Sequence, residues 1–128
     1  MVKLAGVAQM AVRILGVVLI VLGLILWTGR ADQLKDLHKL FGILIVIAIW
    51  ALAYVAVRSG VSVRIVGLAV VWSLIAPVLG LTQENLLTGG WHWIIQVIHL
   101  LIGLGLIGWG ERLGQAIKAA PAPTTAPG

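Results

Sequence analysis

The sequence specifies an all-α integral membrane four-helix bundle, two antiparallel helical hairpins related by a pseudo-twofold along the membrane normal. Composition is the first reason. Of 128 residues, 61% are hydrophobic and 10% charged, with a mean hydropathy of +1.12. Soluble domains carry roughly 45–50% apolar and about 25% charged residues. A chain this short buries only about two-thirds of its surface on folding, so that excess has nowhere to hide in water. A soluble enzyme, two soluble domains, a disordered chain and a fibre are all excluded. The second reason is four long runs with almost no charge. The third is the one-sided distribution of the charges that remain.

The first run, Leu4–Gly29, has Arg13 as its only charge. Lys3 gives it a basic start, but the run is too long for a secretion signal and no small-residue cleavage pattern follows Trp27-Thr28-Gly29. It reads as a retained helix over about 8–29. The second, third and fourth runs, Leu40–Val57, Ile65–Gln83 and Asn85–Gly110, have no charge. They predict helices over about 33–58, 62–83 and 90–112. A bilayer core about 30 Å thick needs about 20 helical residues, which each run supplies. Strands are disfavoured because the runs are continuous and do not alternate. Short connections between them imply antiparallel neighbours and a bundle over 1–120. Residues 121–128, rich in Pro, Ala and Thr, read as a flexible tail.

Lys3, Arg13, Arg58, Arg64, Arg112 and Lys118, with Glu111 against them, place the whole net charge of +5 on one side. Arg30, Lys35 and Lys39 balance Asp32, Asp36 and Glu84 on the other. The positive-inside rule then puts both termini in the cytoplasm and the chain in the cell (inner or plasma) membrane. The pI near 10.5 is therefore a topology signal, and nucleic acid is not an expected partner. Arg13 is expected to snorkel to the headgroups, with a propionate or partner ion pair as the alternative. Trp27, Trp91 and Trp93 fall at the outer boundary and Trp109 at the inner one, as interfacial anchors do. Gly16 and Gly23 mark a close helix contact. Ser73 four residues before Pro77 suggests a kink with the hydroxyl near a freed carbonyl. Trp50, Trp72 and Tyr54 read as core fillers, and Gln83-Glu84-Asn85 as a solvated turn.

Polar groups inside a bilayer are costly and are functional candidates by default. His38 opens the second helix; His92 and His99 lie on the fourth, which enters from the same face. His92, Gln96, His99, Gly103 and Gly110 fall on one face at 3.6 residues per turn, amid Ile, Leu and Val. His-x-x-x-Gly occurs twice, as His38…Gly42 and His99…Gly103, each preceded by a Thr-Gly pair, Thr28-Gly29 and Thr88-Gly89. This repetition is the source of the expected twofold.

Two imidazoles on facing helices, each with a glycine one turn deeper, suit one haem b held by His38 and His99 as metal ligands. Gly42 and Gly103 would make room for the ring. Lys39, Lys35 or Arg30 could pair with its propionates. His92 lies about 10 Å along the helix from His99, too far to share the same iron. With Gln96 and Lys39 it would tune the haem edge, or it would line an entrance, serve a second haem or simply sit at the interface. Counting back from Arg58 and Arg112 pairs His38 with His92 instead, so the ligand opposite His38 stays open between His92 and His99. Zinc or copper held by three histidines is a further alternative, without a carboxylate to complete its second shell.

This pattern resembles one four-helix half of haem A synthase, a family with a histidine opening the second helix and another on the fourth of each half. The residues that carry the resemblance are His38-Lys39, Gly42, Val78-Leu79-Gly80 and His99, with His38 and His99 61 apart in sequence. The resemblance implies outer-side haem binding. It does not extend to the glutamate one turn before the first histidine, where Lys35 stands, nor to the outer-loop cysteine pair. Small bis-histidine b-type cytochromes of the quinol-linked kind are similar in logic. The leading expectation is a membrane b-type cytochrome for electron transfer between a quinol and a redox partner, as a homodimer. A haem-modifying or quinol-oxidising enzyme, and a non-haem scaffold, accessory subunit or small transporter, remain open at this point.

Overall fold

The computed structural model describes residues 1–121, so the stretch expected to be a flexible tail lies, beyond Pro121, outside the described residues. Its long elements are α1 (Val2–Trp27), α2 (Lys35–Arg58), α3 (Val63–Thr82) and α4 (His92–Ala119). Short 3₁₀ turns, Asp32–Leu34, Gln83–Asn85 and Gly89–Trp91, join them at one end of the bundle. All four helices are long and apolar enough to cross a membrane. Their outward faces carry exposed residues such as Val17, Ile47, Val71 and Leu101. An apolar surface that extensive is not one that soluble monomers present to water. The chain is a multi-pass membrane protein built as a four-helix bundle.

Helix ends differ from the apolar runs in an informative way. α1 begins at Val2 rather than about 8, and α4 continues to Ala119 rather than about 112. Apolarity marks the bilayer, whereas a helix ends where its backbone must. Beyond Arg112 the sequence has no breaker until Pro121, which disfavours helix at the residue before it. At the opposite end, the two Thr-Gly pairs are placed differently: Thr28-Gly29 leaves α1, whereas Thr88-Gly89 leads into α4. Gly29 and Gly89 both have left-handed backbone, φ +72° and +84°, where a side chain would be strained.

The helices follow one another around the bundle. α2 and α4 also touch across the diagonal, whereas α1 and α3 have no close backbone contact among the described residues. Packing is uneven along the axis. The fully buried Val12, Ile49, Leu52, Val55 and Leu113 lie in the half that carries the chain termini and the α2–α3 turn. There the α1–α4 seam closes on glycines. A Cβ at Gly16 would lie 2.6 Å from Ile107, one at Gly110 would lie 2.6 Å from Val12, and Gln9 covers Gly114.

Two tryptophans brace the mid-bundle. Trp50 Nε1 donates to Ser73 Oγ at 2.9 Å, and Trp72 Nε1 donates to the Ile102 carbonyl at 2.9 Å beside Gly105. Each satisfies its indole N–H across a helix seam, but Trp50 at 47% exposure and Tyr54 at 57% lie on the outer surface and are not the core fillers expected, whereas Trp72 packs against the core. α3 runs through Pro77 without interruption, and Ser73 Oγ donates to the Val70 carbonyl at 2.6 Å. The carbonyl that Pro77 leaves without an amide partner is that of Ser73 itself, so the hydroxyl serves a different acceptor from the one anticipated.

Arg13 finds a partner on α4. Its guanidinium forms a two-point pair with Glu111, Nε to Oε1 at 2.5 Å and Nη2 to Oε2 at 2.9 Å. Buried Gln9 donates to the same carboxylate at 3.0 Å. The fork of an arginine matches a carboxylate in two points once α1 and α4 are adjacent.

Candidate functional site

The other half of the bundle is hollow. A cavity of about 480 Å³ lies among all four helices, within the ~300–1,000 Å³ of small-molecule sites. Ile45 and Leu106, both buried, line it and belong also to the packed core, so they form its floor. Its mouth lies at the end with the α1–α2 and α3–α4 connections, where Asp32, Lys35, Gln83 and Glu84 border it.

His38 and His99 face each other inside this cavity. Their ring centroids are 6.2 Å apart, with the planes inclined by 56°. Two imidazoles on opposite sides of one metal ion, with metal–nitrogen bonds of about 2.0–2.1 Å, have ring centres about 6.3 Å apart. Either ring can rotate about that axis, so the inclination does not conflict with shared ligation. Both Nδ1 atoms are sealed from solvent and have no hydrogen-bond partner among the described residues. A buried polar atom without a partner is rare and costly, and calls for an explanation such as a bound group. These residues therefore fit a bis-imidazole metal centre such as haem: a pair at ligation distance, orphaned ring nitrogens, and room around them.

Glycines supply the room and the support, in two different pairs. Gly42 and Gly103, one turn deeper than each histidine, line the cavity, and a Cβ on either would meet nothing within 4 Å. Both border open space. Gly23 and Gly80, on the neighbouring helices, press on the imidazoles themselves. A Cβ at Gly23 would lie 3.5 Å from His38 Cε1, and one at Gly80 would lie 3.0 Å from His99 Cε1. Thus α1 backs His38 and α3 backs His99, a local correspondence between the two hairpins. Gly23 carried only a packing signal in the sequence, and Gly80 only a place in the motif Val78-Leu79-Gly80.

The remaining candidates divide between cavity and rim. Gln96 and Lys39 line the cavity. His92 lines it too, but its Nδ1 donates to the Leu86 carbonyl at 3.1 Å, holding the ring at the first residue of α4 and apart from the pair. The described residues contain no group of three His, Asp or Glu arranged to hold a metal ion, so the three-histidine zinc or copper arrangement is not assembled. Gly110, on the same stripe as His99, lies below the floor against Val12. At the mouth, Lys35 Nζ is 3.4 Å from both Asp32 Oδ1 and Glu84 Oε1, tying the two connections together. Glu84 is therefore an ion-pair partner and not merely part of a solvated turn. Lys39 is the basic cavity residue without such a pair among the described residues.

The chain matches no family model, and neither a curated protein nor a solved structure is similar enough to it to count as a match.

Proposed function

We propose that the protein is a membrane b-type cytochrome in which one haem would be held between α2 and α4 by His38 and His99. The observation that carries this reading is the facing pair of imidazoles, 6.2 Å between centroids, with both Nδ1 atoms orphaned inside an apolar cavity. Bound there, haem would supply one-electron chemistry. The protein's own residues would do the rest. Gly42 and Gly103 leave the ring space, Gly23 and Gly80 lie against the outer tips of the imidazoles, and Lys39 offers a cation to a propionate. Gln96 and His92 present polar edges toward the mouth.

In this reading the mouth faces the extracytoplasmic side of the cell membrane and both termini are cytoplasmic. Support comes from the basic residues Lys3, Arg58, Arg64, Arg112 and Lys118, which collect at the packed end, whereas the charges at the mouth balance. A quinol is the lipid-soluble electron donor compatible with such a site.

The test is an optical spectrum of the purified protein in detergent, oxidised and then reduced. Low-spin haem b bands that sharpen on reduction, and their loss in both His38→Ala and His99→Ala, are the expected result. A colourless protein, or one whose bands survive His99→Ala, would overturn the proposal.

A further inference from the structure

The uneven packing bears on where electrons can enter and leave. His38 lies three residues from the start of α2, a rise of about 4.5 Å. From there to Arg58, the last residue of α2, is about 30 Å of helix. His99 has the same relation to α4: about 10 Å from His92, the first residue, and about 30 Å from Ala119, the last. From the cavity floor at Ile45 and Leu106, about 20 Å of helix still separates a bound group from Arg58 and Ala119, and that length, not the packing, is what hinders electron transfer to the far face. Ile45 and Leu106 close the cavity floor, and beneath them Val12, Ile49, Leu52, Val55 and Leu113 are fully buried. The seam of α1 and α4 is closed further by Val12 on Gly110, Gln9 on Gly114 and the Arg13–Glu111 pair. A second bis-histidine haem there would need two more ligands and a second hollow. The chain has three histidines, none in that half, and no cysteine.

We infer that electron exchange is confined to the mouth side: donor and acceptor both reach this site from one face, and no electron crosses the membrane through a single copy. The inference rests on the cytochrome reading and adds sidedness to it. Reduction adds one electron to ferric haem and oxidation removes the same one. Such a cycle moves no charge from one aqueous phase to the other.

Sidedness can be read in sealed proteoliposomes of the haem-loaded protein. The chain has no native cysteine, so Thr88→Cys, in the α3–α4 connection and outside the cavity lining, reports orientation to an impermeant maleimide. A trapped dye confirms that the vesicles are sealed. Dithionite added outside should reduce only the haem of mouth-outward copies, in proportion to the labelled fraction. With ferricyanide trapped inside and the excess dithionite removed on a desalting column, that reduced haem should stay reduced until detergent releases the ferricyanide, then reoxidise. Reoxidation across the intact membrane, or reduction of the unlabelled fraction by external dithionite, would overturn the inference. Failure of the cytochrome reading looks different: there would be no haem spectrum to follow.

Discussion

Gly80 on α3 stands against His99 on α4 so closely that a methyl group in place of its hydrogen would lie 3.0 Å from the imidazole Cε1. The matching contact between Gly23 and His38 leaves 3.5 Å, ordinary van der Waals distance. The two otherwise corresponding supports therefore differ in tolerance. In Gly80→Ala the ring must turn or α3 must move, and haem retention or the low-spin spectrum should be lost or shifted. Gly23→Ala should keep both. Comparing haem-to-protein ratio and spectrum in the two variants checks this, and equal behaviour would remove Gly80 from the ligand support.

His92 and His99 share a helix face but not a role. His92 is engaged with the Leu86 carbonyl at the rim, while His99 meets His38. His92→Ala should retain the low-spin spectrum with at most a shifted reduction potential, whereas His99→Ala should lose it. Loss of the spectrum in His92→Ala would reassign the ligand.

The α1–α4 seam offers a test independent of any cofactor. Gly110→Ala drives a methyl into Val12, whose Cγ1 would be 2.6 Å away. Overpacking of this kind costs about 1–3 kcal/mol. Because Val12 is the obstruction, Gly110→Ala with Val12→Ala should cost less than the two single changes added together. Denaturant titration in micelles gives the cycle, and simple additivity would mean that these residues do not meet.

Glu111 is held by Arg13 and Gln9 together. Glu111→Ala should lower the thermal midpoint in detergent by leaving a guanidinium without its carboxylate. Exchanging the charges, Arg13→Glu with Glu111→Arg, should recover part of the loss. No recovery would assign the effect to Gln9 or to packing instead of the ion pair.

The bundle and its cavity were legible to different degrees, for physical reasons. Charge-free runs announce membrane-crossing helices because charges are costly in lipid, and the repeated His-x-x-x-Gly placed two clear spaces beside two imidazoles. Counting from basic anchors left His92 and His99 unresolved because the anchors are not equivalent. Arg58 is the last residue of α2, whereas Arg112 lies a further seven residues inside α4, which runs to Ala119. Contacts between distant segments carried no local signal. Nothing near Arg13 names Glu111 as its partner, and nothing near His99 says that a glycine on α3 will back its ring. Those facts depend on which helices are neighbours.

A bundle that is close-packed at one end and hollow at the other has two stabilities within the same four helices. Backbone amides around Leu52 and Leu113 should exchange with deuterium only when the whole molecule unfolds. Those around Gly42 and Gly103, with few atoms behind them, should exchange through local opening. A molecule bound in the cavity would slow exchange in the second group by mass action and leave the first nearly unchanged until global unfolding itself is suppressed. The exchange pattern along a single helix, α4, would then report occupancy residue by residue, without requiring the occupant to be coloured.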